Sequence, residues 1–122
     1  MAARLETKAA KLWSKATCEL LALHEIFRKL GFQADDLYIE QYSDPKMFFK
    51  AVQGALEFRV EIHYDISKVI EEWPLACEWW NNASQEDLRE LYETSEARLN
   101  APMMVFALSE KGFDLTRPDW LH

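Results

Sequence analysis

Glycine is nearly absent. Three glycines in 122 residues leave no material for a phosphate-cradling loop of the G-x-x-x-x-G-K kind. Cysteine is scarce too. Cys18 and Cys77 are too few for a disulfide framework and predict free, buried thiols in a reducing, cytoplasmic compartment. There is no surplus of positive charge. The net charge of −7 repels phosphate backbones, and the cations at Arg28/Lys29 and Lys46/Lys50 are interleaved with acids, so direct nucleic-acid binding is not expected. No apolar run approaches the roughly 20 residues of a spanning helix, and no membrane association is expected. Arg4, Glu6, Lys8, Lys11 and Lys15 charge the stretch where a secretory leader would be apolar, so none is expected.

What is abundant is aromatic. Five Trp, seven Phe and four Tyr argue for a packed core and against disorder. The length favours one globular domain spanning residues 1–122.

Leu5, Ala9, Leu12, Ala16, Leu20, Leu23, Phe27 and Leu30 recur at steps of three and four, which predicts one long helix over residues 3–30. Gly31 suits the left-handed position after its end, with Phe32 folding back on Phe27; Leu108, Gly112 and Phe113 repeat that punctuation. Over residues 37–65 the period changes to two. "LYIEQYS", "MFFKAVQ" and "LEFRVEIHYD" read as three strands, broken by "DPK" and "QG". A turn at Gln53-Gly54 would oppose Phe49 with Phe58, Met47 with Val60 and Ala51 with Leu56 on an apolar face. On the other face it would oppose Lys50 with Glu57, Phe48 with Arg59 and Lys46 with Glu61. A three-residue loop before it would oppose Ile39 with Ala51, Glu40 with Lys50, and Tyr42 with Phe48.

Beyond residue 65 the pattern is helical again. Ile66, Val69, Ile70 and Trp73 form a stripe that Pro74 ends or kinks, and Leu75, Cys77 and Trp80 continue in a second segment. Ser84 is an N-cap with Asp87 three residues on. Leu88, Leu91, Tyr92, Ser95 and Leu99 form the next stripe, and Asn100 before Ala101-Pro102 starts or kinks the last one. "APMMVFAL" is apolar on every side and is expected to be buried over most of its circumference. The expected architecture is α+β, in the order α-βββ-α-α. It has a long N-terminal helix and a three-stranded antiparallel meander of order 1-2-3. Three or four C-terminal helical segments follow. That element order is similar to double-stranded-RNA-binding domains, but acids stand where such domains carry cations for phosphate, so no family is assigned.

Function is carried by surfaces more than by motifs. In "EFRVEIHYD", Glu57, Arg59, Glu61, His63 and Asp65 share one face of a strand. Glu61, His63 and Asp65 are spread over about 13 Å, too far to meet one metal ion without a bulge, so neither metal nor cofactor is expected. The row reads better as a contact edge. Two copies paired antiparallel about Val60 would set Arg59 against Glu61 and Glu57 against His63, a self-complementary pattern suited to a homodimer. The mixed face carries Tyr38, Tyr42 and Phe48 among charges, an interface composition. Trp73, Trp79 and Trp80, in "EEWPLACEWWNN", are candidates for a pocket wall or an aromatic cage. No catalytic residue is proposed: Ser14, Ser67 and Ser95 lack a nucleophile-elbow setting.

These observations point to a small acidic protein-interaction module (an adaptor, regulator or inhibitor) that binds a protein partner, or itself, through its sheet. One alternative is a small-molecule-binding or enzymatic domain with a pocket between the sheet and the Trp-rich helices. A second is an acidic nucleic-acid mimic that uses Glu86, Glu90 and Glu93 to block a basic partner.

Overall fold

The computed structural model describes residues 7–43, 46–63 and 66–116, without the side chains of Tyr42, Ser43 and Lys46. The stripe expected as one helix is carried by two, α1 (Lys8–Leu12) and α2 (Lys15–Lys29). Trp13 between them is extended (φ −126, ψ 154). Ser14 caps α2 by accepting from the Thr17 N–H at 3.3 Å. The break is held from outside: Glu72, far along the chain, accepts from the Ser14 N–H at 3.0 Å and from its hydroxyl at 2.8 Å. A periodic pattern carries no sign of a partner so distant in sequence.

After α2 the chain turns as its glycine requires. Gly31 has φ +109, and the Phe32 N–H donates to the Phe27 carbonyl at 3.2 Å, with the two rings 5.4 Å apart. A 3₁₀ turn (Ala34–Asp36) leads into β1 (Leu37–Ser43), β2 (Lys46–Gln53) and β3 (Leu56–Glu61). They form one antiparallel sheet of order β1-β2-β3, the expected meander.

Its register differs from expectation by two residues at both interfaces. Phe49 faces Val60, Ala51 faces Phe58 and Gln53 faces Leu56; Ile39 faces Phe49 and Tyr38 faces Lys50. The cause at the second hairpin is the turn. Its central residues are Gly54 and Ala55, and only Gly54 has positive φ (+60), the arrangement of a type II′ turn with glycine first. A turn centred on Gln53-Gly54 would force positive φ on Gln53. An even shift leaves each side chain on its face, so the apolar face survives intact. In the first interface the pairing slips between Gln41 and Ser43, which makes Tyr42 a bulge residue. An alanine Cβ at Gly54 would meet nothing within 4 Å. Gly54→Ala therefore isolates backbone strain, and denaturation is expected to show a loss of about 1–2 kcal/mol.

Three helices follow: α3 (Ile66–Asn82), α4 (Gln85–Glu93) and α5 (Ala97–Glu110). Pro74 lies inside α3 rather than ending a helix. Val69, Trp73, Ala76 and Trp80 all sit on the buried side. A burial stripe that continues across the proline offsets the roughly 3 kcal/mol of a lost hydrogen bond and ring clash. Ser84 caps α4 as expected, accepting from the Asp87 N–H at 3.1 Å. Asn100, by contrast, is inside α5 and not at its start.

Helix α2 is the centre of the molecule. One side packs Leu20, Leu23, Phe27 and Leu30 against Met47, Phe49, Ala51 and Ile62 of the sheet layer and against Met104, Val105 and Leu108 of α5. The other packs Leu21 and Ala22 against Ala9 of α1, Ala76 and Trp80 of α3, and Leu88 and Leu91 of α4. Helices thus cover one face of the sheet, and α2 is buried where a surface helix would be wet. The chain after α5 is tied back on it. The Thr116 N–H donates to the Leu30 carbonyl at 2.8 Å, and Gln53 and Asp114 exchange two hydrogen bonds, 2.9 and 2.7 Å.

Candidate interaction surfaces

The sheet face turned away from α2 carries a charge network. Lys50 sits at its centre, 3.0 Å from Glu40 and 3.3 Å from Glu57, with its ammonium 5.7 Å from the centroid of the Tyr38 ring. Hydrogen bonding to Glu40 first, and to Glu57, holds the Lys50 pKa above its ordinary value against an opposing pull from desolvation. Arg59 reaches Glu57 at 3.2 Å. Tyr38 is 47% exposed and Phe48 is half-buried. Tyr42 is on the same strand, but its side chain lies outside the described residues. The face is aromatic and salt-bridged, with its charges answered inside the chain.

At the end of β3, one of the two edge strands, Glu61 and His63, the latter two residues past the strand rather than on it, approach to 3.5 Å. They flank an open cleft of about 450 Å³ between the sheet and α5, floored by Leu20, Leu23, Val60, Ile62 and Met104 and rimmed by Asn100. No Tyr or Trp is among the described residues that line it. Asp65 lies outside the described residues. Among the described residues no three His, Cys, Asp or Glu side chains converge as a metal site would require, and no helix is long and apolar enough to cross a membrane.

Trp73, Trp79 and Trp80, all on α3, pack into the second core. Trp80 is 5% exposed; its ring lies 4.3 Å edge-on from His24, with Arg28 5.4 Å from the indole centroid. Trp73 bridges both clusters and Trp79 packs on the second. His24 is 6% exposed, and burial pushes its imidazole down to about 4, with Arg28 adding to the effect. Burial pushes the Cys77 thiol up to about 11, and the Cys18 thiol to the same value with Glu19 and Glu72 adding. Neither thiol is ionised enough near neutrality to act as a nucleophile. On α4, Glu86, Glu90 and Glu93 are all exposed. Glu90 accepts from the Lys8 N–H at 3.3 Å, and Glu93 lies 3.9 Å from Arg89.

The most apolar exposed surface is one the sequence pattern had placed in the core. Only one side of α5 is buried, by Ala101, Met104, Val105 and Leu108. On the opposite side Leu99, Met103 and Phe106 are 66%, 70% and 65% exposed. They are spaced four and three apart, so they align as a single stripe. Its one signal in the sequence is that "APMMVFAL" has more apolar residues than a helix resting on one neighbour needs.

One remote group and one local one set where α5 begins. The Glu19 carboxylate, 7% exposed, accepts from the Glu96 N–H at 3.1 and 3.0 Å and from the Ala97 N–H at 2.9 Å. The Ser95 hydroxyl accepts from the Arg98 N–H at 3.3 Å. A carboxylate at the positive end of the helix dipole satisfies its orphan donors, and this cap aims the stripe. Comparisons with protein-family models, curated proteins and solved structures found no match to this chain.

Proposed function

We propose that the chain is a small acidic cytoplasmic module of adaptor, regulator or inhibitor type, which acts by protein contact rather than by chemistry. The observation that carries this reading is the stripe of Leu99, Met103 and Phe106, each about two-thirds exposed. Together they leave roughly 300–400 Å² of contiguous apolar surface, the size at which a patch on a monomer often marks a contact site. The free thiols at Cys18 and Cys77 support a reducing compartment. A photo-crosslinking residue placed at Met103 is expected to give adducts of discrete mass in intact cells, whereas the same residue at Glu86 gives none. Adducts at neither Met103 nor Tyr38 would reject a contact role for both surfaces.

The open sheet supports a second reading, self-association through β3. That strand has one neighbour and stands at the mouth of the cleft. Two copies meeting antiparallel about Val60 would exchange the internal pairs Arg59–Glu57 and His63–Glu61 for Arg59–Glu61 and Glu57–His63 between copies. Light scattering at high concentration is then expected to give a dimer mass that Arg59→Glu halves. A monomeric wild-type chain rejects the edge dimer.

A further inference from the structure

The ends of the α5 stripe carry as much information as its middle. Glu96 precedes Leu99 by three residues and Glu110 follows Phe106 by four. The five positions 96, 99, 103, 106 and 110 therefore repeat as the a and d sites of a heptad. The flanking positions that such a seam presents to a partner helix, Asn100, Pro102, Ala107 and Ser109, are uncharged. The stripe is thus an apolar centre bounded at both ends by a carboxylate, the two lying about 21 Å apart along the axis. Glu96 holds Lys15 at 3.3 Å, an exposed pair that an incoming cation displaces at little cost.

This pattern is not self-complementary. If a second copy packs antiparallel with Met103 at the centre, Glu96 meets Glu110 at both ends. If it packs parallel, Glu96 meets Glu96 and Glu110 meets Glu110. Either way like charges face each other at both ends of the seam, which disfavours the pairing. An anionic lipid surface is opposed by the same two carboxylates and by the net charge of −7.

We infer that α5 receives an amphipathic helix of a different protein, one that offers three apolar side chains in a stripe and a Lys or Arg beyond each end. The inference rests on reading α5 as a contact surface and adds the chemistry of the partner. The mode is helix against helix face, in which apolar anchors give affinity and the bracketing charges set register and choice of partner.

A synthetic probe tests it. A capped, alanine-rich peptide of roughly 18 residues, long enough to be partly helical alone, carries three leucines spaced four and three apart with a lysine beyond each end. A second peptide has glutamate in place of those lysines. By titration at low salt, the full-length protein is expected to bind the lysine peptide about tenfold more tightly than the glutamate one. The preference should shrink in 0.5 M salt, as exposed pairs do. Glu96→Lys/Glu110→Lys is expected to invert the preference, and Glu110→Lys alone, at the exposed end of the helix, to erase part of it. Leu99→Ser/Phe106→Ser is expected to abolish binding of both peptides with the fold retained by circular dichroism.

The outcomes are separable. If the serine variant loses binding but both peptides bind the wild type equally, the surface stands and the basic partner is overturned. If the serine variant binds as the wild type does, or neither peptide binds the wild type, α5 is not the contact surface. Dimerisation abolished by the serine variant overturns the inference in favour of a second copy, and binding to phosphatidylserine vesicles abolished by it does so in favour of a membrane.

Discussion

Replacing Glu19 with alanine is expected to lower the unfolding free energy by about 3 kcal/mol, a large effect for a single acidic residue. In most proteins a glutamate on a helix is solvated and its removal costs little. Here the carboxylate is buried and takes hydrogen bonds from Glu96 and Ala97, the first donors of α5. Removing it leaves two part-buried N–H groups without their carboxylate partner, at about 1–3 kcal/mol each. It also takes a negative charge from the positive end of a helix dipole, for a further fraction of a kcal/mol or more. The total falls short of the sum because Ser95 still holds the Arg98 N–H and because water enters the space vacated. Glu19→Gln keeps one acceptor oxygen and is expected to lose about 1 kcal/mol. Glu90→Ala, which removes an exposed carboxylate, should stay within about 0.5 kcal/mol. Urea denaturation measures all three. Amide exchange at Glu96 and Ala97 should accelerate in the alanine variant, ahead of the rest of α5. An alanine variant as stable as wild type would mean that the carboxylate does not cap this helix. The cap also orients Leu99, two residues on from Ala97, so the same variant is expected to weaken binding at the α5 stripe.

Glu19 also shows where reading the sequence succeeds and where it stops. Most signals confined to one element are legible, although the local caps at Ser14 and Ser95 are hidden by the apolar periodicity around them. Period two marked the three strands, Gly31 and Gly112 marked two helix ends, and Ser84 marked a cap. In each case the chemistry lies within about four residues of its effect, and the meander of order β1-β2-β3 follows from such signals alone. Signals with a distant partner did not come through. Helix α5 starts at Ala97 with a carboxylate 77 and 78 residues earlier on its first donors, whereas local reading put a start or a kink at Asn100. The break at Trp13 depends on Glu72 in the same way.

The candidate site divides along the same line. Alternation separated Tyr38 and Lys50 from the core face, and the even register shift kept them there. Which apolar residues are covered is a different question, because it depends on how many neighbours a helix has. Helix α2 touches partners on all sides and buries nearly everything it carries. Helix α5 rests on one side only, and its equally apolar sequence leaves Leu99, Met103 and Phe106 in water. Composition cannot tell these two helices apart; their positions in the layers do.

The second large effect concerns pH and His24. Its ring is enclosed by Trp80, Trp73 and Phe49 at 4.3, 6.1 and 6.3 Å between centroids. No described residue hydrogen-bonds its Nδ1. Burial makes the charged form costly and the nearby Arg28 guanidinium adds repulsion, so the folded-state pKa falls to about 4, against about 6.5 in an unfolded chain. Above pH 6.5 the imidazole is neutral in both states and has no effect on the balance. Between about 6.5 and 4 the unfolded chain takes up a proton that the folded chain refuses, so stability falls as pH falls. Below about 4 both states are protonated and the loss is complete. Two and a half pKa units correspond to about 3 kcal/mol, with roughly half lost by pH 5.5. Carboxylates titrate near the lower end of this window, so a single curve does not isolate the histidine. The difference between wild type and His24→Leu does, because the carboxylates are common to both. That difference, from urea denaturation at pH 7, 5.5 and 4, is expected to move by about 3 kcal/mol against the wild type as pH falls. Parallel stability curves for the two proteins would show that His24 is not the buried neutral group that links this core to pH.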